Sequence, residues 1–340
     1  MNQLTDNNNL DTDRQSFFNN CPGTLAEGYN AYSRSCLDKV FNGKKVSPIL
    51  PYNSPAGNAD VESLFAENCS HISISGVQEK FSVVLEKNKL RLARDGERGM
   101  YILKPVPRSG KRADQMPANE HLTMQIASQV FGIETAPNAL VFFRNNEPAY
   151  ITKRFDMQSD GSKLAQDDFA SLAGRMPQTH GEHYKYAGNY LEMFQLLQRY
   201  VPAYKIEAPK LIKILIFNYI MSNGDAHFKN FSLLETPLGD YRLSPAYDLL
   251  NSRIHIEDRD FALDDGLLPR SMAQGKISQQ FAILAEQVGI ANKIFTQILQ
   301  LMLSRSDKVE KLIGASYLQE STKRSYLQMY QSRIKQLVKC

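Results

Sequence analysis

The sequence predicts an α+β fold of two lobes, a small β-rich one followed by a large α-helical one. Two observations predict it. Between His71 and Phe155, short runs rich in Val, Ile, Leu, Phe and Tyr are separated by turn residues, as strands are, with one helical segment among them. After Phe155, five segments carry apolar residues at three-to-four spacing, and the one clear strand signal is a single hairpin.

In chain order, residues 1–20 are rich in Asn and Asp and read as a disordered tail. Residues 21–70 form a short N-terminal segment and linker, with "CPGT" and "SRSC" followed by the turn-rich "PILPYNSPAGN". A zinc ribbon needs paired cysteines, but Cys21 and Cys36 each lack a near partner. Thr24 and Ser33 stand where the second ligands would be, and neither is a good zinc ligand, so no zinc is expected. In 71–155, "HISISGVQEKFSVVLEKNKLRLA", "YILKPV", "NALVFFRN" and "PAYITKRFD" read as strands. "NEHLTMQIASQVFGI" reads as a helix stopped by Gly132. In 156–340, "GNYLEMFQLLQRYV", "PKLIKILIFNYIMSN", "ISQQFAILAEQVGI", "ANKIFTQILQLMLSRS" and "TKRSYLQMYQSRIKQLV" are helical, and "FSLLETPLGDYRL" is the hairpin.

The bulk numbers exclude several classes. With 340 residues, 42% hydrophobic and 22% charged, the composition is that of a globular chain with room for two lobes. A formal charge of +4 gives little support for holding nucleic acid directly. The longest apolar run, Leu211 to Met221, is too short to span a bilayer and contains Lys213, so no membrane role is expected. The N-terminus has no apolar signal core, and the four scattered cysteines give no disulfide framework; a cytoplasmic setting is expected.

The chemistry concentrates in "NGDAHFKNF", Asn223 to Phe231. Asp225 and Asn230 stand five apart, the separation of a phosphotransfer base and a metal-binding carboxamide. Alone the pattern is weak: a helix C-terminus at Asn223-Gly224 followed by a capping Asp explains it better. Asp248, in "SPAYDLL", follows the hairpin, where a second carboxylate would hold Mg²⁺ across nucleotide phosphates; the plain alternative is a cap on "LLNS". Lys104, in "YILKP", is a strand lysine suited to nucleotide phosphates, and Glu120 opens the next helix, placed to pair with it. The alternatives are a snorkelling edge lysine and a first-turn acid. "SISGVQEK" carries one glycine and could turn N–H groups toward phosphates, or be an ordinary turn; its Ser73 and Ser75 would then lie near the γ-phosphate. His227 stands two residues after Asp225. His180 and His183 form an H-x-x-H with no third ligand.

Taken in order, "SISGVQEK", "YILKP", "NEH", "KRFD", "NGDAHFKNFS" and "LSPAYDLL" resemble the HipA family of bacterial toxin Ser/Thr protein kinases, in particular the shorter members that lack the full N-terminal subdomain. The resemblance covers roughly His71 to Ser252 and implies a protein-kinase-like fold using ATP and Mg²⁺. It implies Asp225 as catalytic base, Asn230 and Asp248 as metal ligands, Lys104 on ATP phosphates, and Ser75, Gly76, Val77, Gln78, Glu79 and Lys80 as the phosphate loop. Lys153, Arg154 and Phe155 would form the adenine hinge, His227 and Tyr247 would line the nucleotide site, and Ser73 or Ser75 would be autophosphorylated. It also implies an aminoacyl-tRNA synthetase as the protein substrate and a helix-turn-helix antitoxin as partner, with DNA reached only through it. A separate small protein would stand in for the missing subdomain. The segment before His71 is too short for that subdomain, which leaves the usual antitoxin contact open. Two other readings are a small-molecule kinase of the aminoglycoside or choline type, and a non-catalytic corepressor that binds an antitoxin.

Overall fold

A computed structural model of the chain describes residues 18–55, 79–158, 160–273 and 275–338. The chain forms two compact units. The first takes residues up to His121, Pro137–Arg154 and Gly314–Leu318; the second takes Leu122–Ala136, Phe155–Ile313 and the chain from Gln319.

The first unit is built on a five-stranded antiparallel sheet in the order β2-β1-β3-β5-β4. Its strands are β1 (Phe81–Glu86), β2 (Lys89–Leu92), β3 (Tyr101–Pro105), β4 (Asn138–Phe142) and β5 (Pro148–Lys153). β1 and β2 join through Lys87-Asn88, both left-handed, the conformation that matches the twist of a two-residue hairpin loop. Register pairs Phe81 with Leu103 and Leu103 with Ile151, so alternate residues fill one face. Helix α1 (Arg34–Phe41) covers that face with Cys36, Val40 and Phe41. Each such large apolar side chain contributes roughly 1.5–3 kcal/mol on burial. Lys104 points to the other face of β3.

The segment before the sheet packs more tightly than its composition suggests. Leu140 N–H donates to Pro22 O at 2.8 Å, and Phe142 exchanges backbone bonds with Pro48 and Leu50, so this segment shields edge strand β4. Phe18 and Asn20, assigned to a disordered tail by the sequence, belong to the packed chain. Phe18 is buried against the rings of Phe142 and Tyr317, and Asn20 Nδ2 donates to Ala315 O at 2.8 Å. Apolar residues isolated among Asn and Asp carry no periodicity from which this could be read.

Helix α2 (Met116–Gln129) starts three residues before the predicted Asn119, with Pro117 in its first turn, where a missing N–H costs nothing. It ends at Gln129; Gly132, the predicted stop, takes φ +58° just beyond.

In the second unit, β6 (Gln166–Asp168), β7 (Ser232–Glu235) and β8 (Tyr241–Leu243) form a small antiparallel sheet. β7 and β8 are the predicted hairpin. Two short helices, α3 (Phe169–Leu172) and α4 (Pro177–His180), lead to α5 (Tyr190–Tyr200) and α6 (Tyr204–Ile220). Asn189 and Glu192 cap α5 reciprocally. Beyond its first turns α6 is buried nearly all round, from Leu211 to Ile220, and it packs against α5, α8 (Asn292–Leu303) and α10 (Glu320–Val338). α7 (Ile277–Gln287) and α9 (Ser306–Ala315) complete the helices. Tyr326 of α10 bonds Thr123 Oγ1 at 2.7 Å. No helix of the described residues is long and apolar enough to cross a membrane.

Candidate active site

In the first unit, β3 and α2 bring two oppositely charged side chains together. Lys104 Nζ lies 2.6 Å from Glu120 Oε1, with side chains 4% and 3% exposed. The ammonium also stands 5.3 Å from the Tyr150 ring centre on neighbouring β5. A pair this buried costs heavily in desolvation and is weak evidence for stability; it suits a fixed positive charge held for a ligand.

Of the phosphate-loop candidates, Ser73, Ser75, Gly76, Val77 and Gln78 lie outside the described residues. Glu79 precedes β1 and pairs with Arg108 at 3.0 Å; Lys80 follows it, partly buried. Lys153 closes β5, its Nζ 2.6 Å from Asn42 Oδ1, and partial burial lowers its pKa. Arg154 N–H donates to Met100 O at 2.9 Å.

In the second unit, the end of α6 sets up the densest polar site. Ser222 takes φ +56° and turns the chain out of the helix. Asn223 bonds back to Asn218 through backbone and side chain, each at 2.9 Å, and its Oδ1 accepts from Asp225 N–H at 3.3 Å. Gly224 has no room for a side chain: a Cβ there would stand 2.4 Å from the Asp258 carboxylate and 2.6 Å from Arg259 O. Its N–H donates to Ser252 Oγ at 2.8 Å. The loop is therefore pinned on both sides of Asp225.

Asp225 accepts a hydrogen bond on Oδ1 from the Tyr186 hydroxyl at 3.0 Å, with His227 Nε2 at 3.8 Å from the same oxygen. The side chain is 42% exposed, yet surrounding protein desolvates it, and this raises its pKa. The Lys185 charge and the Tyr186 bond oppose that shift, while the Asp258 and Asp248 charges add to it. Burial, with the Lys185 charge, lowers His227 to about 3, so its imidazole is neutral at physiological pH. Asn230 Nδ2 donates to Asp225 O at 2.8 Å, which leaves the Asn230 carboxamide oxygen as the metal-competent atom.

Asp248 adopts φ +55°, a left-handed conformation uncommon outside glycine, after the β7–β8 hairpin. Its charge acts on Asp225, His227 and Tyr247, so these four share one electrostatic neighbourhood. Tyr247 is half-buried, its hydroxyl donating to Lys229 O at 3.0 Å, and its ring lies 5.7 Å from that of Phe155. The donor set of Asn230 and Asp248 is all oxygen, which fits a hard cation that keeps water and phosphate as its other ligands.

Among the described residues no group of three or more His, Cys, Asp or Glu placed to hold a metal includes His180 and His183. Cys21, Thr24, Ser33 and Cys36 do converge, in the arrangement of the zinc ribbon whose second ligands Thr24 and Ser33 replace. Cys21 Sγ accepts N–H groups from Gly23 and Thr24 at 3.4 Å and Ser33 at 3.1 Å, and the Thr24 and Ser33 hydroxyls are 3.2 Å apart. Sequence reasoning missed Tyr186, Ser252 and Asp258. Only the aromatic and cationic character of "HYKYAGNY" hinted at the first.

The HipA-like C-terminal domain family matches residues 72–309. A Haemophilus influenzae protein named as a candidate kinase is 22% identical over 91% of this chain and 93% of its own length. A candidate kinase of Sinorhizobium fredii is 32% identical over 53% of this chain, which spans only 42% of that protein. Among solved structures, the HipA toxin of Shewanella oneidensis, in complex with HipB and operator DNA, superposes with a TM-score of 0.60 at 20% identity, over 78% of this chain and 64% of that one. The proinflammatory kinase CtkA of Helicobacter pylori gives a TM-score of 0.50 at 14% identity, over 75% and 90%. The fold is thus that of kinase-like proteins, and the chain belongs to the HipA-like C-terminal domain family.

Proposed function

We propose that the chain is an ATP-dependent serine/threonine protein kinase of a toxin–antitoxin system. The observation that carries this reading is the loop after α6, where Asp225 presents a carboxylate and Asn230 is tied to the Asp225 carbonyl at 2.8 Å, freeing its own oxygen. The buried Lys104–Glu120 pair supports it from the first unit.

In the reaction, an acceptor hydroxyl attacks the γ-phosphorus of ATP. The new O–P bond forms as the bond from phosphorus to the β–γ bridging oxygen breaks, ADP departs, and the hydroxyl proton passes to the Asp225 carboxylate. Partial desolvation raises the basicity of Asp225, while its exposed side leaves room for the acceptor. Mg²⁺, when bound, neutralises phosphate charge; Asn230 and Asp248 would hold it. Lys104, fixed by Glu120, offsets charge on the phosphates. Phe155 and Tyr247 supply aromatic surface for the nucleotide base, with Lys153 and Arg154 preceding them on the hinge. Neutral His227 steadies the loop without adding charge.

The acceptor is a Ser or Thr of a bacterial protein, with an aminoacyl-tRNA synthetase the favoured class, and Ser73 or Ser75 is the self-modified position. Antitoxin partners follow from the HipB complex of the Shewanella relative. Expression of wild-type and Asp225→Ala chains in a bacterium, with phosphoproteomics of the arrested cells, tests this. The wild type is expected to stop growth and phosphorylate few targets; no arrest by either chain, with operator repression undiminished in Asp225→Ala, would favour the corepressor reading instead.

A further inference from the structure

Tyr186 lies 39 positions before Asp225 in sequence, on a stretch tied firmly to the rest of its unit. Asp264 N–H donates to Tyr186 O at 2.9 Å and Asp265 N–H to Gly188 O at 3.0 Å. Arg175 Nη1 donates to Ala187 O at 2.5 Å while its guanidinium covers the Phe228 ring at 4.3 Å. Tyr190, two residues after Gly188, donates its hydroxyl to Ala226 O at 2.8 Å. The stretch and the Asp225 loop are thus cross-braced at Ala226 and Phe228, so the Tyr186 backbone is fixed relative to Asp225.

From that position the phenol reaches one carboxylate oxygen. Its hydroxyl is 3.0 Å from Asp225 Oδ1, and its ring meets the His227 ring edge-on at 5.1 Å between centres. His227 Nε2 lies 3.8 Å from the same Oδ1. Asp225 Oδ2 takes no hydrogen bond among the described residues, and the side chain is open to solvent. A carboxylate at the edge of a loop would otherwise sample several rotamers, and proton transfer demands a narrow range of distance and angle.

We propose that Tyr186 is a positioning residue for the phosphotransfer base: its hydroxyl anchors Oδ1 of Asp225 and so turns Oδ2 toward the acceptor hydroxyl. The proposal rests on the reading of Asp225 as the base. Burial raises the pKa of the Tyr186 phenol, so it stays a donor across the working range. The phenol moves no proton itself and is not consumed in the reaction.

The test compares wild type, Tyr186→Phe, Asp225→Asn and the double variant as full chains. Transfer of γ-phosphoryl from Mg-ATP is measured with a whole bacterial lysate as acceptor, and thermal melting reports folding. Tyr186→Phe is expected to melt with the wild type, to keep its KM for ATP, and to lose about ten- to a hundredfold in kcat. In the Asp225→Asn background the same change is expected to cost nothing further, because the group it orients is gone. Wild-type kcat in Tyr186→Phe beside an impaired Asp225→Asn would overturn the positioning role and leave the base assignment standing. Faster turnover in Tyr186→Phe would mean that the phenol blocks the carboxylate, which also overturns it. A fully active Asp225→Asn, or a wild type that transfers no phosphate, would remove the base assignment and the proposal together.

Discussion

The side-chain amide of Asn230 donates to the backbone carbonyl of Asp225 at 2.8 Å. One hydrogen bond thus links the two residues that sequence spacing singled out, and it fixes which end of the carboxamide faces outward. The loop is a short 3₁₀ turn in which Asn230 N–H also reaches back to His227 O at 2.9 Å. Asn230→Ala would lose both the tie and the proposed oxygen ligand. It is expected to raise the Mg²⁺ concentration for half-maximal phosphate transfer at least about tenfold, since losing one oxygen ligand weakens a hard-cation site. Metal titrations of initial rate check this; an unchanged Mg²⁺ requirement would place the metal elsewhere.

Lys104→Met should destabilise the fold by about 3–5 kcal/mol, because it strips the buried Glu120 carboxylate of an ammonium at 2.6 Å. Adding Glu120→Leu should recover much of that loss, since two apolar side chains bury more cheaply than one charge. Urea denaturation of the single and double variants measures both steps.

Acid should weaken the protein through His121, whose Nε2 lies 3.0 Å from Gly23 O. Burial lowers its pKa from 6.5 to about 4. The unfolded chain therefore binds a proton below pH 6.5 that the folded chain refuses until about pH 4. Stability falls as pH falls through that window, by at most about 3 kcal/mol from this group. His227, lowered to about 3, adds a slope of the same sign. His121→Gln keeps a donor for Gly23 and cannot titrate, so its stability should decline less between pH 6.5 and 4 in denaturant midpoints taken across pH.

The cluster around Cys21 has knuckle-like N–H···S bonds with hydroxyls where two more thiolates would complete a tetrahedral set. Thr24→Cys combined with Ser33→Cys is expected to bind one zinc ion per chain and to raise the melting temperature. Native mass spectrometry of the double variant counts the metal; a zinc-free double variant would show that the four positions do not converge tightly enough.

Much of this site was legible in the sequence because its signals are local. Asp225 and Asn230 share one turn, Lys104 lies near the end of one strand and Glu120 in the second turn of the next helix, and "FSLLETPLGDYRL" is a hairpin in place. What escaped depends on contacts between distant segments. Tyr186 reaches Asp225 from a stretch without periodicity. Gly224 is required because Asp258 and Arg259 press against it, which spacing cannot reveal. The convergence of Cys21, Thr24, Ser33 and Cys36 looked like two unpaired half-motifs until the turn between them closed. Phe18 docks on Phe142 and Tyr317 across most of the chain's length, so nothing near it in sequence announces its burial.

The most direct test pairs calorimetry with phosphate transfer in Asp225→Ala. The proposed role of Asp225 predicts that this variant binds Mg-ATP as tightly as the wild type, while transfer to protein acceptors falls by at least about a hundredfold. Transfer at the wild-type rate by Asp225→Ala would contradict the account.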